Sequence, residues 1–105
     1  MAKKEVIWSL RAQQDRLEIL EYWINRNKST QYSEKLYKLF KEAIKIISVH
    51  PDIGKPTDIK GIRLKIIRDY LMIYEIHDQR IDILIIWDSR RNPKKLMTFL
   101  KKKSR

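Results

Sequence analysis

The hydrophobic period of this chain changes once along its length, from helical to extended, and that change dictates its fold class. Tyr32, Leu36, Leu39, Phe40, Ala43 and Ile47 step by four, three, one, three and four residues, which places them on one stripe of a helix. After Gly61 the period becomes two. Ile62, Leu64 and Ile66 alternate with Arg63 and Lys65, as the two faces of a strand require. With only two Gly and three Pro, the loops must be short and the elements long.

The rest of the chain fits around these two regimes. Lys4 to Trp8 reads as a short strand. Ser9 suits an N-cap, because its hydroxyl can accept a bond from a free amide of the first helical turn. In the helix that follows, Leu10, Leu17, Leu20 and Ile24 are the expected buried face, widened by Ala12, Ile19 and Trp23. A polar turn ends near Ser29, and Ser29 or Thr30 caps the second helix. His50 precedes Pro51, where the helical conformation is disfavoured, so the second helix stops there. Two helices joined this closely form an antiparallel hairpin.

Pro51 to Pro56 is a loop. Arg68-Asp69 and Asp78-Gln79 are turns flanking a strand from Tyr70 to His77. Arg80 to Trp87 is the strand richest in Ile, so it is expected at the centre, covered on much of both faces. The predicted fold is α+β, in the order β-α-α-β-β-β. An N-terminal strand leads into an antiparallel helical hairpin packed on one face of a mainly antiparallel sheet. The other face is expected to stay partly open, with Arg63 and Lys65 projecting from it.

Composition bounds the function. The 105 residues suit one domain, 1–105, ending in a basic tail from Lys94 to Arg105. Twenty-four Lys and Arg against thirteen Asp and Glu give +11, a charge that points to a polyanion or an acidic partner. The last sixteen residues, 90–105, carry eight of these cations and no acid. The absence of Cys excludes a disulfide framework, a thiol nucleophile and a thiolate metal site. No apolar run approaches a membrane span or a signal peptide, so a cytoplasmic protein without membrane contact is expected.

Catalytic motifs are scarce. His50 and His77 read as surface or capping residues, and no nucleophile elbow or phosphate-cradling glycine loop is present. No metal-ligand spacing is recognised and no cofactor is expected. What remains is a set of cations. Arg63, Lys65, Arg68, Arg90 and Arg91 could converge on the open sheet face. Cations there would stabilise a phosphorane, as RNA cleavage by its own 2′-hydroxyl requires. They could equally be ordinary solvent-facing residues.

The chain resembles the RelE/ParE superfamily of bacterial type II toxin–antitoxin toxins. The resemblance rests on Ser9-x-x-Ala12, Asp15-x-Leu17-x-x-Leu20-x-x-Trp23, His50-Pro51-x-x-Gly54, Arg63, Tyr70-x-x-x-Tyr74-x-Ile76, and Trp87-Asp88-Ser89-Arg90-Arg91-Asn92-Pro93. It implies growth inhibition and plasmid stabilisation, a cognate acidic antitoxin, and a homodimer or a toxin–antitoxin hetero-oligomer. It implies one of two targets: DNA gyrase, poisoned without catalysis, or the ribosome and its messenger RNA. For a ribosome-dependent ribonuclease the matching catalytic residues are Arg63, Lys65 and Arg90. Two further positions of that set fall on Leu71 and Leu96. Arg68, Arg91, Lys94, Lys95, Lys101, Lys102 and Lys103 are the expected target-binding cations. A gyrase poison or translation block, an RNA-cleaving enzyme, and a degenerate toxin that only binds its antitoxin all remain open.

Overall fold

In the computed structural model, residues 3–103 are described. Strand β1 (Glu5–Trp8) leads into helix α1 (Leu10–Asn27) and helix α2 (Gln31–Val49). A 3-10 turn at Pro51–Ile53 and a two-residue strand β2 (Lys55–Pro56) follow. Strands β3 (Ile62–Ile67), β4 (Tyr70–Ile76) and β5 (Arg80–Asp88) come next, then helix α3 (Pro93–Lys103). The sheet order is β1-β5-β4-β3-β2, antiparallel throughout except for the parallel pair β1 and β5. The α+β class, the hairpin and the meander are as expected. Strand β2 and helix α3 are additions.

Local chemistry sets the helix ends. Ser9 Oγ accepts from the Ala12 amide at 3.0 Å and donates to the Leu84 carbonyl at 2.9 Å, so the cap also ties α1 to the sheet. Lys28 stops α1 in the left-handed conformation, with φ 52°. Ser33 Oγ donates to the Leu20 carbonyl at 3.0 Å, cross-linking the hairpin. Among the described residues no helix is long and apolar enough to cross a membrane.

Two apolar layers sandwich the sheet. The first joins the hairpin to one sheet face through Ala12, Leu36, Phe40, Ala43, Ile47, Met72, Tyr74, Ile81 and Ile83. The α2 stripe thus faces the core in the expected phase. The α1 phase does not match expectation. Leu10 is 85% exposed and Leu17 51%, while Ala12 and Asp15 are buried. Ala12 allows the helix to approach the sheet closely. Asp15 Oδ2 accepts from the Ile86 amide at 3.0 Å, and its Oδ1 accepts from Arg11 Nε at 3.0 Å. An unpaired Ile86 amide at that depth would cost about 1–3 kcal/mol, comparable to the gain from burying one more leucine.

The second layer corrects two expectations. The far sheet face is not open, and the C-terminal segment is not a bare tail. Leu96 and Leu100 of α3 are buried against Ile62, Ile73, Leu84, Ile85 and Trp87. Arg11 lies over the Phe99 ring at 5.5 Å, joining α3 to the start of α1. Ser104 and Arg105, the end of the expected tail, lie outside the described residues.

The His50-Pro51-x-x-Gly54 segment is a docked loop. Tyr74 donates its hydroxyl proton to the Pro51 carbonyl at 2.5 Å and accepts from the Gly54 amide at 3.0 Å. A Cβ at position 54 would sit 2.5 Å from that hydroxyl and 2.7 Å from the Leu64 carbonyl, so only glycine fits. Burial raises the Tyr74 pKa above the ordinary 10.0, and burial does the same to Tyr70. A raised phenol pKa contributes stability that is fully present below the unfolded value and is lost as pH rises through the folded one. The melting temperature should therefore fall above pH ~10, with a smaller fall in Tyr74→Phe. An unchanged alkaline profile in that variant would remove Tyr74 from the account.

Candidate functional site

The expected catalytic cations are separated along the length of the strands. Arg63 pairs across β3 and β4 with Tyr74, and Lys65 with Met72. Both partners belong to the hairpin-side core. Arg63 and Lys65 therefore lie on the hairpin side, not on the far face, which corrects their expected direction. Arg63 Nη1 donates to the Gly54 carbonyl at 2.7 Å and to the Asp52 carbonyl at 3.1 Å, and its Nε lies 3.6 Å from Asp52 Oδ1. It clips the 51–54 loop to the sheet. Lys65 lines a shallow groove with Leu39, Glu42 and Ile46.

Arg90 sits at the other end of the sheet. Tyr70 is the cross-strand partner of Asp88, and Tyr70 and Tyr74 are four residues apart on β4. That spacing is roughly 13 Å along a strand, so Arg63 and Arg90 do not converge. Asp88 grips Arg90 at both ends of its carboxylate, with Nε on Oδ1 at 3.0 Å and Nη2 on Oδ2 at 2.8 Å. This hydrogen bonding holds the Asp88 carboxyl below its ordinary range and raises the Arg90 guanidinium above its own.

Around this pair lies a cavity of about 380 Å³, lined by Asp15, Ile19, Tyr22, Tyr70, Asp88 and Arg90 among others. Trp23 Nε1 donates to the Tyr70 hydroxyl at 2.8 Å, closing one wall. The cavity mixes apolar side chains and acids with two arginines, Arg90 held by Asp88 and Arg91 stacked on Trp87. Among the described residues it offers no cluster of unpaired cations to hold a phosphate.

The remaining basic residues form a rim. Arg91 lies over the Trp87 ring at 4.3 Å, fixed just beyond β5. Lys94 and Lys95 occupy the exposed first turn of α3, Lys101 and Lys102 are exposed near its end, and Lys103 is its last residue. Arg68 holds the β3–β4 turn with φ 56° and is exposed. Leu71 and Leu96, the two positions that depart from the ribonuclease set, both belong to the apolar layer between α3 and the sheet.

Spacing alone missed one further grouping. Glu75, His77 and Asp82 offer three ligand atoms within 4.8 Å of one another. Glu75 and Asp82 are cross-strand partners, and His77 lies two residues beyond Glu75 on the same side. The signal was the hairpin register, which linear spacing conceals.

The chain matches, over residues 6–93, the family described as ParE toxin of type II toxin-antitoxin system, parDE. Among solved structures it is similar to one titled "Chromosomal ParDE TA system from P. aeruginosa". The TM-score is 0.68 at 17% identity, covering 80% of this chain and 94% of that one. It is also similar to a chain of the E. coli DinJ-YafQ toxin-antitoxin complex. There the TM-score is 0.51 at 11% identity, covering 83% of this chain and 93% of that one. These likenesses concern the fold. Among curated proteins no significant sequence match is found.

Proposed function

The chain belongs to the ParE toxin family of type II toxin–antitoxin systems, and from that membership we propose that it stops growth by binding DNA gyrase, without cutting RNA. The observation that carries this reading is the closed far face of the sheet. Helix α3 covers it, and Leu96 and Leu71 both join that apolar layer, at positions where a ribonuclease of the superfamily would need polar groups. The other residues of that set supply little to replace them. Arg63 is engaged by the 51–54 loop, Arg90 is neutralised by Asp88, and the two stand at opposite ends of the strands.

The proposed antitoxin is an acidic chain with an amphipathic segment. Leu10, Leu17, Ile24 and Tyr37 give an exposed apolar stripe on the hairpin, and the cationic rim supplies charge complementarity. The target contact uses Arg91, Lys94, Lys95 and the end of α3, where positive charge is fixed on rigid structure.

Two assays with the purified chain test the reading: supercoiling by gyrase, and cleavage of messenger RNA on translating ribosomes. The expected result is lost supercoiling with the RNA intact, and filamentation with DNA-damage signalling when the toxin is induced alone. RNA cut by the parent chain and spared by Arg90→Ala would overturn it, because loss of one transition-state donor is worth roughly a hundredfold or more in rate. A chain that inhibits neither process would be a toxin that only binds its antitoxin.

A further inference from the structure

We propose that Glu75, His77 and Asp82 form a binding site for a divalent transition metal, zinc first, at the closed end of the β4–β5 hairpin. The site is independent of the toxin reading and lies away from the Arg90 cavity.

The backbone builds it. Glu75 and Asp82 face each other across β4 and β5, and Glu75 is also opposite Ile62 of β3. The His77 amide donates to the Arg80 carbonyl at 2.9 Å, closing the turn. His77 Nε2 then stands 3.3 Å from Glu75 Oε1 and 3.1 Å from Asp82 Oδ2. Donor atoms at the corners of a tetrahedron with ~2.0–2.1 Å bonds are roughly 3.3 Å apart. Both separations from the imidazole are therefore near those of a coordinated ion, before any ion is added.

The histidine nitrogen faces both carboxylates. Nε2 is buried and makes no hydrogen bond among the described residues, although two carboxylate oxygens lie within ion-pair distance. A neutral imidazole with its proton on Nδ1 would present a lone pair to an ion there, and a buried polar atom without a hydrogen bond is costly. Two carboxylates neutralise a divalent ion. The imidazole favours zinc or a neighbouring transition metal over calcium or magnesium.

Surrounding contacts orient the ligands without occupying them. Arg80 Nε binds Asp82 Oδ1 at 3.0 Å, which leaves Oδ2 free to face the histidine. Lys4 Nζ donates to the His77 carbonyl at 2.6 Å, fixing the backbone at the ligand. Outer contacts of this kind set ligand direction in metal sites. The side chains keep 35% and 21% of their surface open at His77 and Asp82, enough for an ion to enter and keep a water.

The test uses the full chain, stripped with a chelator and titrated with zinc chloride by calorimetry, with thermal melts alongside. A single equivalent should bind and raise the melting temperature by several degrees at saturation. Losing only an outer partner weakens metal affinity roughly 10–100-fold, so His77→Ala and Asp82→Asn should each weaken binding at least that much. His50→Ala should bind as the parent does. No binding at submillimolar zinc, equal binding by His77→Ala, or loss of binding in His50→Ala would each overturn the site. Should His77→Ala fail to fold, Glu75→Gln keeps the side-chain shape and decides by the same readout.

Discussion

Deleting α3, residues 93–105, should leave a chain that no longer unfolds cooperatively in urea. Leu96 and Leu100 are 7% and 1% exposed, and they shield Ile62, Ile73, Leu84, Ile85 and Trp87. Fully burying one such side chain contributes about 1.5–3 kcal/mol. Two from the helix, together with the sheet face they cover, rival the ~5–15 kcal/mol that holds a whole domain. A single Leu100→Ala change should cost about 2–5 kcal/mol. Removing only 101–105 takes away four cations and no apolar side chain. That trim should cost far less stability while flattening the salt dependence of polyanion binding by roughly 0.7–0.9 for every phosphate no longer neutralised. If the 93–105 deletion melts at the parent's midpoint, α3 does not belong to the core.

Phe40→Ala should cost about 3–5 kcal/mol of unfolding free energy. Phe40 is 1% exposed and stands edge-on to Tyr70, with ring centroids 6.3 Å apart at 75°. Tyr70 in turn receives the Trp23 bond that walls the Arg90 cavity. The void left by the missing ring would therefore loosen both the hairpin packing and that wall. Urea midpoints with an unchanged slope would report the loss as stability alone. A parent-like melt would mean that α2 packs by another face.

How much of this was readable in advance depended on how local the cause was. The period-two alternation after Gly61, the Ser9 cap and the stop before Pro51 act within a few residues, and sequence alone determined them. The α2 stripe was equally legible, since six apolar residues at helical spacing leave one face to bury. Ser9, Asp15, Gly54 and Tyr74 are among the residues that carried the resemblance, and the structure gives each a backbone partner or close approach.

Tertiary packing decided the rest. In α1 the apolar pattern pointed to Leu10 and Leu17, yet the buried line runs through Ala12 and Asp15. A small residue lets the helix approach, and one buried amide needs an acceptor; neither requirement appears in a hydrophobic pattern. Alternation tells which β3 residues share a face but not which face the hairpin takes, and packing puts Arg63 and Lys65 on the hairpin side. In the C-terminal segment the cations outnumbered the apolar residues, and only the uncovered sheet face beneath could show that Leu96 and Leu100 have somewhere to go. Glu75, His77 and Asp82 meet for the same reason. Strand register and hairpin closure, not distance along the chain, determine which side chains become neighbours.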